Sequence, residues 1–350
     1  MRLEGGKVKV FWDEVQLQHA PQFFLQRGQV RPNFEIPARA QALLEGVAAL
    51  GLVPERPADA NEAVLETVHG PAYLEFLRTA HADWSAMEEA GPEVVANIHP
   101  APEMLAHGAR PGSGPIARAG WFTADASCPI GPHTWTAALS AARCALAAAE
   151  EAVAGRSAYA LVRPPGHHAY PARAGGHCYV NNAALAVERL RAGGAARVAV
   201  LDIDSHHGNG TQGAFWERGD VLFASIHGDP GGYYPWYVGH ADERGAGAGE
   251  GWNLNLPLPR GSGDASWLEA LDTALAAIGR FGPDAIVLSL GFDASEHEPL
   301  NYLAVTEGGF ARAGERIGAL RVPTAIVQEG GYNVDMLGRL LARFLTAYGR

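Results

Sequence analysis

The chain has 350 residues, and its 27 Lys and Arg against 38 Asp and Glu give a formal net charge of −11 at pH 7. A chain of this length can bury roughly three quarters of its unfolded surface, so we expect a large core. The acidic balance and the absence of a basic run argue against nucleic acid as a partner. No apolar stretch approaches the ~20 residues that cross a bilayer, which argues against a membrane protein. The three separated cysteines (Cys128, Cys144 and Cys178) and the lack of an apolar leader favour a cytoplasmic location.

The N-terminal part predicts a strand followed by helices. Lys7–Trp12 alternates and is rich in β-formers, whereas Ile36–Gly51 has helical apolar spacing and a closing glycine. Val64–Leu77 predicts two short helices with a turn at Gly70 and Pro71. The pattern fades over residues 79–132, where we expect an irregular segment that lines a site or meets another subunit. An ordinary surface excursion fits that segment equally well.

The rest of the chain alternates between strand and helix patterns. An Ala-rich helix is predicted over Thr134–Val153, ended by Gly155. The order of the later segments predicts an α/β fold with a largely parallel sheet and helices on both faces, in one domain over residues 1–350. The predicted strands are Tyr159–Val162, Val198–Leu201, Val221–Ile226, Ile286–Leu290 and Thr324–Val327. The predicted helices are Asn182–Arg191, Ser266–Arg280, Gly308–Ala319 and Met336–Tyr348.

The stretch VAVLDIDSHHGNGTQ carries the strongest functional signal. An apolar run ends in Asp202, Asp204 and His206, which in extended chain would share one face. Two carboxylates and an imidazole are costly to bury unless they are paired or hold a cation. Ligands in α/β sheets collect beyond the carboxyl ends of parallel strands. We therefore predict a metal site at this strand end, in preference to a buried strand with a polar terminus.

Three other strands also end in polar residues. RPPGHHA carries His167 and His168, GFDA carries Asp293, and QEGGY carries Tyr332. Taken singly, each is more often a cap, a surface residue or a turn. In a parallel sheet, however, the four clusters meet at one edge.

The residue types suggest hydrolysis assisted by a metal. Asp204, His206 and Asp293 would form an open catalytic zinc site rather than a closed structural one. Histidines 167 and 168 would transfer protons and stabilise charge. Asp202 and Asn209 are candidates to orient them. Tyr332, on the turn of Gly330 and Gly331, would donate to a developing oxyanion.

The motifs RPPGHHA, GGHCYVNNAA, LDIDSHHGNGTQ, SIHGDP, GFDA and QEGGYN resemble the zinc-dependent histone deacetylase family. RPNFEIPARAQ, ASCPIGPHTW and HGDPGGYYPWYVGHADERGAGAGEG are similar to its bacterial acetylpolyamine amidohydrolase branch, so the resemblance covers nearly the whole chain. The family implies an arginase-deacetylase fold with an eight-stranded, mainly parallel sheet. The acetylpolyamine branch further implies that the irregular segment 79–132 contributes a homodimer contact that narrows the mouth of a substrate tunnel.

The resemblance also implies roles at matching positions. Asp204, His206 and Asp293 match zinc ligands, although iron or cobalt is compatible with them. His168 matches the general base, with Asn209 at the position of its partner, and His167 matches the second histidine, with Asp202 as its partner. Tyr332 matches the tyrosine that polarises the carbonyl.

Two further sites follow from the resemblance. The family binds a monovalent cation, K+ or Na+, at positions that match Asp202, Asp204, His206, Ser225 and Ile226. The substrate tunnel matches Gly176, His177, Tyr234, Gly330 and Gly331, and His177 departs from the carbocyclic aromatic residue usual there.

The resemblance, above all that of the N-terminal half, implies a zinc-dependent deacetylase of acetylated polyamines or similar small cationic amines. Acidic residues at the mouth, with Asp125, Glu296 and Glu298 as candidates, would bind distal ammonium groups. A deacetylase of acetyl-lysine in proteins is the alternative with the same chemistry. A ureohydrolase would need a second metal and more Asp ligands, and a binding module without catalysis would not need every catalytic position filled.

Overall fold

The computed structural model describes residues 8–300 and 302–349, and its secondary structure is as follows. The strands are β1 (Lys9–Phe11), β2 (Phe23–Gln26), β3 (Gln29–Pro32), β4 (Ala158–Ala160), β5 (Val198–Asp202), β6 (Val221–Gly228), β7 (Asn253–Leu258), β8 (Ala285–Leu290) and β9 (Thr324–Gln328). The α-helices are α1 (Pro37–Ala49), α2 (Pro71–Ser85), α3 (Pro102–Ala106), α4 (Pro115–Phe122), α5 (Thr134–Val153), α6 (Asn182–Ala192), α7 (Asn209–Phe215), α8 (Asp264–Phe281), α9 (Glu307–Gly318) and α10 (Val334–Tyr348). Short 3-10 helices occupy Glu14–Gln18, Glu62–Thr67 and Gly247–Gly249.

Seven of these strands form one sheet in the order β1-β4-β9-β8-β5-β6-β7, and each neighbouring pair is parallel. Strands β2 and β3 form a separate antiparallel hairpin. From β5 the chain adds β6 and β7 on one side, and β8 and β9 fill the place between β5 and β4. Because neighbouring strands are parallel, the carboxyl ends of β4, β5, β6, β8 and β9 lie at one edge. The prediction of a mainly parallel α/β sheet is confirmed.

The sheet has seven strands in the described part of the chain rather than the expected eight. The place beside β1 is taken by Glu55, which makes a single parallel bridge to Phe11. Its backbone N–H donates to Val10 over 2.7 Å, and its carbonyl accepts from Trp12 over 3.0 Å. Pro57, two residues further on, has no N–H to continue the ladder. The eighth strand is therefore reduced to one residue.

Helices cover both faces of the sheet, as predicted. Along β5, Val198 and Val200 pack with residues of α5 and α6, whereas Ala199 and Leu201 pack with residues of α1, α8, α9 and α10. This alternation follows from the twofold period of a strand. Because both faces are buried, β5, β8 and β9 are apolar almost throughout, and their polar residues lie at or next to the strand ends.

Most predicted segments coincide with observed elements, and α5 has the predicted bounds. Strand β1 lies inside the predicted Lys7–Trp12, of which Lys7 falls outside the described residues. The segment 79–132 holds more helix than expected: α2 continues into it, and it contains α3 and α4. Strand β7, helix α7 and the β2–β3 hairpin were not predicted. In the described part of the chain, no helix is long and apolar enough to span a membrane.

Candidate active site

Asp204, His206 and Asp293 meet beyond the carboxyl ends of β5 and β8. All three are buried, and one donor atom of each lies within 4.8 Å of the others. His206 Nδ1 lies 3.2 Å from Asp204 Oδ1 and 2.9 Å from Asp293 Oδ2. One imidazole can balance the charge of only one of the two buried carboxylates, so a cation would complete the charge balance of the cluster. The three donors fit a divalent metal, and they are one short of a closed tetrahedral site.

The electrostatics of His206 and Asp293 point the same way. Burial lowers the pKa of His206, but the carboxylates of Asp204 and Asp293 outweigh it and raise that pKa to about 9. Burial, and then the neighbouring Asp204, raises the pKa of Asp293. A bound cation would relieve both the repulsion between the carboxylates and the demand on the imidazole.

Gly330 closes this cluster from the β9 side. Its N–H donates to Asp204 Oδ2 over 2.7 Å. A Cβ at this position would lie 2.4 Å from Asp293 Oδ2 and 2.5 Å from Asp204 Oδ2. Only glycine leaves room for both carboxylates, so the turn before Tyr332 is fitted to the metal ligands.

His167 lies after β4 and is bonded to the end of β5. Its Nδ1 is 2.9 Å from Asp202 Oδ2. Burial would lower its pKa, but the charges of Asp202, Asp204 and Glu329 outweigh burial and raise the pKa to about 10. The neighbouring carboxylates therefore favour the protonated form of His167.

His168 has the opposite environment, although its ring centroid is only 4.0 Å from that of His167. Its Nδ1 donates to Asn209 Oδ1 over 2.6 Å. Burial, followed by the positive charges of His167 and His206, lowers the pKa of His168 well below 6.5. An amide partner supplies a hydrogen bond without a compensating charge. His168 is thus neutral, with Nε2 free of the bond at Nδ1 and able to accept a proton.

Tyr332 follows the Gly330–Gly331 turn and is half-buried. The guanidinium of Arg39 lies 4.8 Å from the centre of its ring. Burial raises the pKa of the Tyr332 hydroxyl well above 10, so the group is a protonated donor at neutral pH.

Glu298 is not at the site's mouth, where an ammonium-binding role was expected. It is buried, and its carboxylate accepts the backbone N–H groups of Tyr332 and Asn333, each over 3.0 Å. Burial, and then the charge of Asp293, raises its pKa to about 8. The turn that carries Tyr332 has N–H groups that need an acceptor, and Glu298 supplies it. Glu296 is exposed, and Asp125 is half-buried.

Two residues that support the site were missed in the sequence. Arg39 donates to the carbonyl oxygens of Gly331 and Glu329, over 2.5 and 2.6 Å, and pairs with Glu35 over 2.6 Å. The Glu329 carboxylate accepts the N–H groups of Gly166 and His167, over 2.7 and 3.1 Å. A signal was present: Glu35 and Arg39 stand four apart where the helix pattern begins, a spacing that pairs charges.

The residues expected to form a tunnel contact the catalytic candidates. Tyr234 meets His168 edge to face, with ring centroids 4.8 Å apart. His177 lies between Phe24 and Tyr332, with centroids 5.6 and 6.1 Å away. Burial, followed by the charges of Arg39 and His206, lowers the pKa of His177 to about 3. His177 is therefore a neutral polar ring beside Tyr332. Gly176, Gly330 and Gly331 lie in the turns next to these side chains.

The residues expected to hold a monovalent cation lie on adjacent strand ends. Asp202 of β5 is in register with Ser225 of β6, and Ile226 follows directly. All are buried, and Ser225 Oγ lies 2.9 Å from His227 Nδ1. The structure thus brings Asp202, Ser225 and Ile226 to the same edge as Asp204 and His206.

Comparison with known proteins agrees with this geometry. Residues 33–348 match the model of the histone deacetylase domain. The chain is 48% identical to an acetylpolyamine amidohydrolase of Burkholderia pseudomallei, over 95% of this chain and 96% of the relative. It is 43% identical to acetylpolyamine amidohydrolase 1 of Pseudomonas aeruginosa, over 97% and 98% of the two chains. A crystal structure of acetylpolyamine aminohydrolase from Burkholderia pseudomallei superposes with a TM-score of 0.94 at 47% identity, covering 98% of this chain and 99% of that one.

Proposed function

This chain belongs to the histone deacetylase family, and from that premise we propose that it hydrolyses acetylated polyamines or similar small cationic acetamides. The observation that carries the proposal is the open cluster of Asp204, His206 and Asp293 next to a neutral His168. A metal cluster alone fits many reactions. A buried neutral imidazole beside it is what abstraction of a proton from water requires.

Asp204, His206 and Asp293 would hold the metal, which we propose to be zinc, with iron or cobalt compatible. When bound, such an ion polarises an amide carbonyl and acidifies water. His168 takes the proton from the attacking water at Nε2, because Nδ1–H is engaged with Asn209. His167, kept positive by Asp202, stabilises the negative charge that develops nearby.

Tyr332 donates its hydroxyl to the oxyanion that forms as the carbonyl is attacked. Arg39 and Glu298 fix the turn that carries it. The proton held by the histidine pair then passes to the departing amine, and acetate and the free amine are the products. All of these roles belong to side chains that the fold brings to one edge of the sheet.

The choice of small cationic amines rests on the relatives, since the catalytic residues alone do not discriminate between acetamides. The relatives named acetylpolyamine amidohydrolases are matched over nearly their whole length. The net charge of −11 supports attraction of a cation. A deacetylase of acetyl-lysine peptides is the second candidate, because it needs the same chemistry and only a wider mouth.

Three further features are part of this proposal. Asp202, Asp204, His206, Ser225 and Ile226 would hold K+ or Na+ at the ends of β5 and β6. Residues 79–132 would narrow the entrance as part of a homodimer of single-domain chains. A cytoplasmic location is supported by three free, buried cysteines.

Turnover of the metal-loaded protein on acetylputrescine, acetylcadaverine, acetylspermidine and an acetyl-lysine peptide tests the proposal. We expect a higher kcat/KM on the acetylpolyamines than on the peptide. Preference for the peptide would favour the second candidate, and inactivity on all four substrates would contradict amide hydrolysis.

A further inference from the structure

Asp125 joins parts of the chain that are distant in sequence. Its Oδ2 accepts the Tyr234 hydroxyl over 2.6 Å and the Gly176 N–H over 3.2 Å. Its Oδ1 accepts the N–H of Ser127 over 2.7 Å. A carboxylate with these three donors is held in one orientation.

Both distant partners of Asp125 touch the ring of His168. Tyr234 meets it at an interplanar angle of 88° with centroids 4.8 Å apart. At Gly176, where φ is +51°, a Cβ would lie only 2.5 Å from His168 Cδ2. The Gly176 backbone and the Tyr234 ring, together with the ring of His167, therefore bound the space that the imidazole occupies.

The bond to Asn209 does not by itself fix His168. A single hydrogen bond at Nδ1 leaves the imidazole free to tilt about that contact, and Asn209 supplies no ionic attraction. Packing by Tyr234 and Gly176 removes that freedom. A proton acceptor must be held within a fraction of an ångström of its working position to be effective.

We propose that Asp125 is a positioning residue that holds Tyr234 and Gly176 against the general base His168. The inference rests on the proposed amide hydrolysis, in which His168 takes the proton. Asp125 acts through its two partners, Tyr234 and Gly176, to which its Oδ2 is bonded.

The test compares Asp125→Ala, Asp125→Asn, Tyr234→Phe and the double variant Asp125→Ala/Tyr234→Phe. Substrates are acetylputrescine and N-butylacetamide, which is similar in length but uncharged. Asp125→Ala should lower kcat on both substrates, on the order of 10–100-fold, as misplacement of a catalytic group does. The double variant should lose no more than Asp125→Ala, because Tyr234 is one of the groups through which Asp125 acts. Asp125→Asn, which keeps one acceptor oxygen, should recover part of the loss.

Asp242→Ala, which removes an exposed carboxylate from the loop that carries Tyr234, should retain wild-type kcat on both substrates. A loss in Asp125→Ala confined to the KM for acetylputrescine would overturn the proposal and indicate ammonium binding. The proposal would also be overturned if the fold-loss in kcat of the double variant equalled the product of the losses in Asp125→Ala and Tyr234→Phe.

Amide hydrogen exchange tests the same contacts without turnover. Exchange at Gly176 should accelerate in Asp125→Ala and remain slow in Tyr234→Phe, which keeps the carboxylate. Unchanged exchange in Asp125→Ala would overturn the proposal. If the wild-type protein hydrolyses neither acetamide, the proposed function fails, while the exchange data still decide whether Asp125 holds Gly176.

Discussion

His168 Nδ1 lies 2.6 Å from the side-chain oxygen of Asn209, a neutral acceptor. Burial, and then the charges of His167 and His206, holds the pKa of His168 well below 6.5. Asn209→Asp would place a negative charge against the ring, stabilise the protonated form and raise that pKa. Because the base must be unprotonated, the acid limb of kcat/KM should move to higher pH.

The pH dependence of kcat/KM for the Asn209→Asp variant at constant metal content measures this shift. Asn209→Ala serves as the control, since it removes the orienting bond without adding charge. It should lower kcat, and the acid limb of its kcat/KM profile should not move to higher pH. An unshifted acid limb in Asn209→Asp would mean that His168 is not the base that limits activity at low pH.

The second prediction concerns the hydroxyl of Tyr332. Tyr332→Phe keeps the ring beside Arg39 and removes only the donor to the oxyanion. Loss of one such donor costs about 10²–10³-fold in kcat. Metal content should stay at the wild-type level, because no metal ligand is altered.

Tyr348→Phe is a matched control, since the Tyr348 hydroxyl bonds to Ser157 Oγ over 2.9 Å and takes no part in the site. Single-turnover rates and elemental analysis on both variants provide the comparison. Near wild-type turnover by Tyr332→Phe would rule out the oxyanion role.

The third prediction concerns metal removal. Without a cation, Asp204, His206 and Asp293 form a buried cluster with unbalanced negative charge. A ligand that binds only the folded state at about 100 times its Kd stabilises it by about 2.7 kcal/mol. Chelation should therefore abolish turnover and lower the Tm, and added zinc should restore both.

Asp293→Ala should show little response of Tm to zinc. A chelated protein of proven low metal content that keeps its Tm and its activity would contradict a metal at this site.

The metal ligands could be predicted from the sequence because each follows directly on an apolar strand. Asp204 and His206 stand two and four residues beyond Asp202, which ends β5, and the parallel pairing of β5 with β8 brings this strand end next to Asp293. Strand β7 was missed because Pro257 interrupts its pattern. A proline is tolerated there because β7 is an edge strand, and edge position is known only from the assembled sheet.

The supporting carboxylates could not be assigned in the same way. Glu298 and Asp125 accept backbone N–H groups of turns that lie at least 34 residues away in sequence. Every residue but proline has such an N–H, so nothing in the sequence marks which acid will meet which turn. The sequence analysis placed Glu298 among the exposed acids at the mouth, and this was wrong. Glu298 is buried because its carboxylate accepts the backbone N–H groups of the Tyr332 turn.

The last prediction concerns the buried ion pair that supports the same turn. Arg39 and Glu35 are almost fully buried, and Arg39 also holds the carbonyl oxygens of Gly331 and Glu329. Arg39→Met would remove the Arg39 donor from the Gly331 carbonyl and leave the Glu329 carbonyl with the longer 3.3 Å bond from Gln328 Nε2. In the described part of the chain, Glu35 would keep Arg163 as its ionic partner, at 2.7 Å. Breaking a buried pair from one side costs about 3–5 kcal/mol, so the free energy of unfolding should fall by about that amount.

Chemical denaturation of Arg39→Met and Arg78→Met makes the comparison, because Arg78 pairs with Glu62 and Glu75 at the surface. Such exposed pairs contribute about 0–1 kcal/mol, so Arg78→Met should remain close to wild type. Arg39→Lys keeps the charge but not the planar guanidinium, so we expect a smaller fall in the free energy of unfolding than in Arg39→Met. This variant still provides the test if Arg39→Met does not fold. Equal stability of the Arg39 and Arg78 variants would show that the Tyr332 turn is held by its other contacts, chiefly the Glu298 carboxylate, and that Arg39 contributes little.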